Sequence, residues 1–136
     1  MTCELCATKG ETLLWHGQHC RVILVEDADY AGFCRVIWNT HVKEMTDLPM
    51  QMRTELMNTV FAVESAVRAV MQPGKINLAS LGNMTPHLHW HVIPRYANDT
   101  HFPNPIWAVP LREPRVSQIK DMRARLTSSI IENLAI

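Results

Sequence analysis

Residues 85–95 read Thr-Pro-His-Leu-His-Trp-His-Val-Ile-Pro-Arg, and few conformations suit that order. His87, His89 and His91 alternate with Leu88, Trp90 and Val92. In a strand successive side chains point to opposite faces, so the imidazoles form one row and the apolar residues turn the other way into a core. A helix would scatter the same residues around its circumference. The stretch therefore predicts a strand from His87 to about Ile93, ended by Pro94, which has no N–H to give to a ladder.

That strand needs neighbours and a cover. Cys20–Glu26 and Gly32–Trp38 are short, rich in β-branched residues and separated by the turn-like Asp27-Ala28-Asp29-Tyr30-Ala31, which predicts a β-hairpin. Lys75–Gly82 alternates Ile76, Leu78 and Ser80 with Asn77 and Ala79 and predicts a further strand. From Pro49 to Met71, Leu56, Val60, Phe61, Val63, Val67 and Val70 recur at helical steps behind Thr46 and Asp47, and Gln72-Pro73-Gly74 stops the helix. Tyr96–Pro110 has too many prolines and turn formers for regular structure and reads as a surface loop. Glu113–Leu134 reads as a second helix with Val116, Ile119, Met122, Leu126, Ile130 and Ile131 on one side. These elements specify an α+β domain with a mainly antiparallel sheet and helices packed on it.

Composition excludes several classes of function. With 13 basic and 13 acidic residues the formal net charge is zero, so no nucleic acid or anionic membrane is expected as a partner. No apolar run approaches a membrane span, and the start Met-Thr-Cys-Glu-Leu-Cys lacks the form of a signal peptide. A cytoplasmic protein with unbridged thiols is the expectation. Cys20 and Cys34, in apolar runs, read as small core residues. Cys3 and Cys6 have the Cys-x-x-Cys spacing of half a zinc site.

One histidine on a strand is ordinarily a satisfied structural residue; three in register contribute little to packing and repel if charged. Two chemistries fit the row. Three neutral imidazoles can hold a catalytic metal with an open position for water. Alternatively, a neutral imidazole attacks phosphorus to give a covalent phosphoramidate, and its neighbours bind phosphate oxygens or protonate the leaving group.

The residues also carry a resemblance. His87–Ile93 matches the histidine triad of the HIT superfamily, His-φ-His-φ-His-φ-φ with φ apolar, and Leu81–Arg95 resembles its wider Gly-Gln-Ser/Thr-x-x-His-x-His-x-His-Val-x-x-Arg pattern. The likeness covers roughly residues 3–95, with a C-terminal loop and helix at 96–136, so residues 1–136 read as a single HIT domain. It implies an antiparallel sheet of about five strands with one long and one C-terminal helix, a homodimer, and a nucleotide substrate. It also implies hydrolysis or transfer through a nucleotidyl-histidine, on adenine nucleotides such as dinucleoside polyphosphates, with no cofactor required. The alternative within the same resemblance is a nucleotide-binding or interaction protein with little or no turnover.

Carried over by position, His89 would be the nucleophile, His91 would contact phosphate oxygens and the leaving group, and His87 would orient the site. Asn77 resembles the superfamily's phosphate- or ribose-side Asn. Asn83 stands where relatives have Gln, and Thr85 lies one residue from their Ser/Thr. Glu26 or Asp27 falls where relatives place a group on the ribose hydroxyls. Some bacterial relatives complete a Cys-x-x-Cys pair with two histidines, which implies a structural zinc on Cys3, Cys6, His41 and His87. One departure stands out: where many relatives have Pro-Gly-His before the second strand of the hairpin, this chain has Ala31-Gly32-Phe33. Outside the motif, Trp107 is a candidate to stack on a base or anchor its loop. Arg95, Arg112 and Arg115 are candidates for local positive charge, with solvation the default. His16, His19 and His101 read as surface residues.

Overall fold

The computed structural model describes residues 3–135; Met1, Thr2 and Ile136, the ends of the expected domain, lie outside them. The β-branched hairpin forms as expected: Cys20–Leu24 (β2) and Cys34–Trp38 (β3) pair antiparallel, with Cys20 opposite Trp38 and Leu24 opposite Cys34. His89–Arg95 (β5) lies along the other side of β3, and Lys75–Ala79 (β4) lies beyond β5. Thr12–His16 (β1) closes the far edge, giving the order β1-β2-β3-β5-β4 with every pairing antiparallel. The five strands meet the count the resemblance implies. β1 escapes the residue pattern because its register shifts between Leu13 and Trp15, so its apolar residues do not alternate in burial.

One face of the sheet carries the core. Met50–Met71 (α2) buries Leu56, Val60, Val63 and Val67 against Val22, Val36 and Val92 from three strands. Met122–Leu134 (α3) adds Leu126 and Ile130 from beyond α2 and β1. Cys20 and Cys34 are buried in this core, as their surroundings suggest.

Several expectations need correction. β5 begins at His89 and runs through Pro94, which pairs with Ile76; pairing with β3 ends at Val92, so from there the strand has a neighbour on one side only and tolerates the missing N–H. α3 starts at Met122 rather than Glu113: Pro110 and Pro114 lie in an irregular segment, Val116 is exposed, and Arg115 lies 3.7 Å over the ring of Tyr96 instead of entering a helical turn. Phe61 and Ile131 keep helical spacing but face outward. The 96–110 loop is not merely superficial, since Asp99, Thr100 and His101 are buried in it.

The opposite face of the sheet is covered only in patches. At one end Glu4–Ala7 (α1) places Leu5 on Ile23 and Ile37. Buried Arg21 anchors this segment, donating to the Leu5 carbonyl at 2.6 Å and gripping both carboxylate oxygens of Glu11 at 2.9 and 2.8 Å. At the other end Tyr30, Phe33 and Ile93 cluster beneath the 96–110 loop. The approach to β3 turns on Gly32, at φ +86; a Cβ there would lie 2.6 Å from Met71 Cγ. Between the two patches lies a cavity in the sheet face, and His89 and His91, themselves largely buried, line it.

Candidate active site

Strand alternation puts His89, His91, Ile93 and Arg95 on the open face and Trp90 and Val92 on the α2 side. The expected row of three is split. His87 precedes β5, and its ring turns into a separate cluster with Cys3, Cys6 and His41. His89 and His91 remain together, ring centroids 4.9 Å apart and edge to face, in a cavity of about 400 Å³.

Hydrogen bonds set the role each imidazole can take. His89 Nδ1–H donates to the His87 carbonyl at 2.6 Å, which leaves the Nε2 lone pair unprotonated, and no described residue occupies it. Burial, and secondarily the charge of Arg35, hold its pKa below the ordinary range despite that bond. His91 is reversed. Arg35 Nε–H donates to its Nδ1 at 3.4 Å, so the ring proton resides on Nε2, and burial followed by the neighbouring His89 and Arg35 pushes its pKa down to about 4. At neutral pH the pair is one bare nitrogen beside one N–H donor.

Arg35 is the residue that sequence reasoning overlooked. It sits directly opposite His91 in the β3–β5 register and lines the same cavity. A signal was available, since it is the lone charge in an apolar strand and alternation puts it with Phe33 on one face. Phe33, in the place of the superfamily's histidine, presents its ring to His91 at 5.6 Å, edge to face.

Asn83, Thr85 and Trp107 line the cavity, and Trp107 packs edge to face on His91 at 5.2 Å. Asn77 is on β4 opposite Ile93, outside the lining, with its Oδ1 accepting from Arg95 Nη1 at 2.8 Å; its amide NH₂ therefore faces away from the arginine. Glu26 and Asp27 are not brought to the cavity: Glu26 accepts from the Thr12 hydroxyl at 2.8 Å, and Asp27 from the Asp29 N–H at 2.8 Å. Arg95 and His101, expected at the surface, are buried. Arg95 is bidentate on Asp99 at 2.8 and 3.1 Å, and His101 Nδ1 meets the Tyr30 hydroxyl at 2.6 Å.

The second cluster has the chemistry of a closed metal site. The ligand atoms of Cys3, Cys6, His41 and His87 all lie within 4.8 Å of one another. Cys3 Sγ and Cys6 Sγ are each 3.4 Å from His87 Nδ1, and Cys6 Sγ is 3.4 Å from His41 Nδ1. Zinc bonds of about 2.3 Å to sulfur and 2.0–2.1 Å to nitrogen in a tetrahedron put S and N about 3.6 Å apart, so the residues fit that ion. His87 Nε2–H donates to the Trp38 carbonyl at 2.6 Å, which frees Nδ1 to ligate and fixes the ring.

Residues 8–98 match the family model described as HIT domain. No curated protein matches the chain. Among solved structures, the chain is similar to a histidine triad protein from Marinobacter aquaeolei VT8, at 25% identity over 99% of this chain and 96% of that one, with a TM-score of 0.73. A histidine triad protein from Bradyrhizobium japonicum is 23% identical over 93% and 92%, with a TM-score of 0.74. A Zn-bound histidine triad family protein from Mycobacterium smegmatis is 19% identical over 99% and 97%, with a TM-score of 0.72.

Proposed function

The chain belongs to the HIT domain family, whose members bind nucleotides and include nucleotide hydrolases and transferases, and from that premise we propose that it cleaves a nucleotide substrate through a nucleotidyl-His89 intermediate. The observation that carries the reading is the tautomer of His89: its Nδ1–H is committed to the His87 carbonyl, so the nucleophilic lone pair on Nε2 is available at neutral pH without a base to remove a proton. His89 Nε2 attacks the α-phosphorus; the N–P bond forms as the bond to the leaving oxygen breaks and its electron pair departs with that group. His91 Nε2–H donates to a phosphate oxygen, where charge grows in the transition state. Water then attacks the same phosphorus and gives up a proton to solvent, the N–P pair returns to His89, and the nucleoside monophosphate leaves.

Adenine nucleotides such as dinucleoside polyphosphates are the proposed substrates. Trp107 provides a face for the base, and Asn83 and Thr85 provide polar contacts for phosphate, while Asn77, beyond the lining, is proposed to meet with its amide NH₂ the part of the substrate that extends past the cavity. Glu26 and Asp27, engaged elsewhere, have no contact in this reading. The homodimer belongs to the same proposal, supported by β4, an outermost strand with a pairing edge free among the described residues. So does a reducing, cytoplasmic setting, which four unbridged cysteines suit.

Brief incubation with a slow nucleotide substrate, quenching and peptide mass analysis tests the mechanism. The expected result is a nucleotidyl mass increment on the peptide containing His89; substrate turnover with no adduct and no rapid initial release of the leaving group sinks it. A second reading, a nucleotide-binding protein with little turnover, is favoured by Phe33, which removes any proton relay through that position. Nucleotide binding with no monophosphate released after prolonged incubation would select it.

Cys3, Cys6, His41 and His87 are proposed to hold a structural zinc. With four protein ligands it would have no open position, and its contribution would be to hold the segment that carries the His87 carbonyl. Purified protein is expected to contain one zinc per chain, and Cys3→Ser to lose it in elemental analysis with a lower melting temperature. Stoichiometric zinc that survives the substitution rules out this cage.

A further inference from the structure

We propose that Arg35 is the leaving-group residue of this site: it holds His91 as a hydrogen-bond donor and takes up the charge of a departing phosphate, so the site cleaves phosphoanhydrides in preference to phosphoramidates. The inference rests on the nucleotidyl-His89 reading and adds to it a residue that sets the choice between two bond types.

The first support is a contrast with the other two arginines on this face of the sheet, both fully buried. Arg21 has Glu11 and Arg95 has Asp99, each in bidentate contact. Arg35, half-buried, has no carboxylate within ion-pair distance among the described residues, and of its nitrogens only Nε is engaged, on His91. Glu11 is committed to Arg21, and Glu4 is an exposed residue on the rim of the cavity. Phe33 lies 5.8 Å from the guanidinium carbon and covers one side of it. A cation desolvated without a counter-charge is costly, and an anionic ligand in the cavity relieves that cost by accepting the free Nη–H groups in the paired geometry guanidinium favours for phosphate. In keeping with this, burial lowers the Arg35 pKa from its ordinary value, against the opposing charges of Glu4 and Glu11.

The second support is what Arg35 does to His91. With Nδ1 accepting from Arg35, His91 can offer its Nε2–H in a hydrogen bond but cannot release that proton without becoming an imidazolate. Breaking a P–N bond expels an amine that must acquire a proton as it leaves, and with His91 held as a neutral donor no described imidazole is poised to give one. Breaking a phosphoanhydride differs: the bridging oxygen leaves with its electron pair as part of a phosphate, needing charge stabilisation instead of a proton. Arg35, directly across from His91, lies where that charge develops.

The test compares diadenosine tetraphosphate with adenosine 5′-phosphoramidate, which transfer the same nucleotide, in wild type, Arg35→Met and Arg35→Lys. Wild type is expected to favour the anhydride in kcat/KM; Arg35→Met should lower the anhydride value roughly 100-fold and the phosphoramidate value by less than about threefold. Arg35→Lys, which keeps the charge, should recover part of the anhydride activity alone. The nitrogen NMR shifts of His91 should report Nε2–H in wild type and a tautomer mixture in Arg35→Met, a change that mere loss of packing would not select. Equal losses on both substrates, or a wild type that prefers the phosphoramidate, overturn the role of Arg35 while leaving the mechanism intact. Absence of a His89 adduct with either substrate overturns the mechanism itself, and this inference with it.

Discussion

His89→Ala is expected to lower turnover by at least about a thousandfold, roughly 4 kcal/mol of barrier, because the substitution removes the atom that forms the covalent bond. Nucleotide affinity should change little by comparison, since Asn83, Thr85, Trp107 and His91 still line the cavity. The contrast matters because His89 is also buried and hydrogen-bonded, and a purely structural role would weaken folding, binding and rate together. His89→Gly adds a sharper criterion: free imidazole diffusing into the vacated space should restore part of the rate, and the nucleotide should then appear on the imidazole. Hydrolysis that persists in His89→Ala at more than about a tenth of the wild-type rate would exclude the histidine as nucleophile. A chelator-sensitive rate rescued by added metal would instead favour the three-histidine metal enzyme. The geometry argues against that arrangement, because His87 is turned away from the other two and into the cysteine cluster.

The parts of this molecule legible in its sequence are those written in local periodicity. The β2–β3 hairpin and α2 follow from patterns within a few residues of each other, and alternation alone puts His89 and His91 on one face. What sequence patterns miss depends on register or on distant anchoring. β1 is hidden by its bulge. Arg35 acquires its meaning only through the residue opposite it on another strand. The split of the histidine row is invisible in the spacing, because it depends on where pairing with β3 begins and on Arg21 drawing the N-terminal segment beneath the sheet. Cys3 and Cys6 were suggestive as a pair, but their convergence with His41 and His87 was legible only by resemblance. The 96–110 loop defeats composition altogether. Prolines and turn formers mark it as irregular, yet irregular backbone can be buried when one side chain gathers its N–H groups.

That side chain is Asp99, and the second large effect concerns it. Asp99 accepts from Arg95, from the backbone N–H of Tyr96, His101 and Phe102, and from the Tyr30 hydroxyl. Arg95 in turn donates to Asn77 and to the Asn104 carbonyl. Removing either partner strands a buried charge, so Arg95→Met and Asp99→Leu are each expected to cost about 3–5 kcal/mol, a large share of a typical domain's 5–15. The double variant should lose less than the sum of the two, because it leaves no orphaned charge, and a urea-unfolding cycle measures the difference. Additive losses would mean that the pair is not coupled. The pH dependence follows from the carboxyl. Burial alone would raise the Asp99 pKa, but Arg95 and three backbone N–H groups outweigh it and hold it well below the usual carboxylate range. A group depressed in the folded state contributes stability above its unfolded pKa, near 3.9, and loses it as pH falls toward the folded value. Wild type should therefore weaken steadily below about pH 4, and Asp99→Leu should lack that component of the slope.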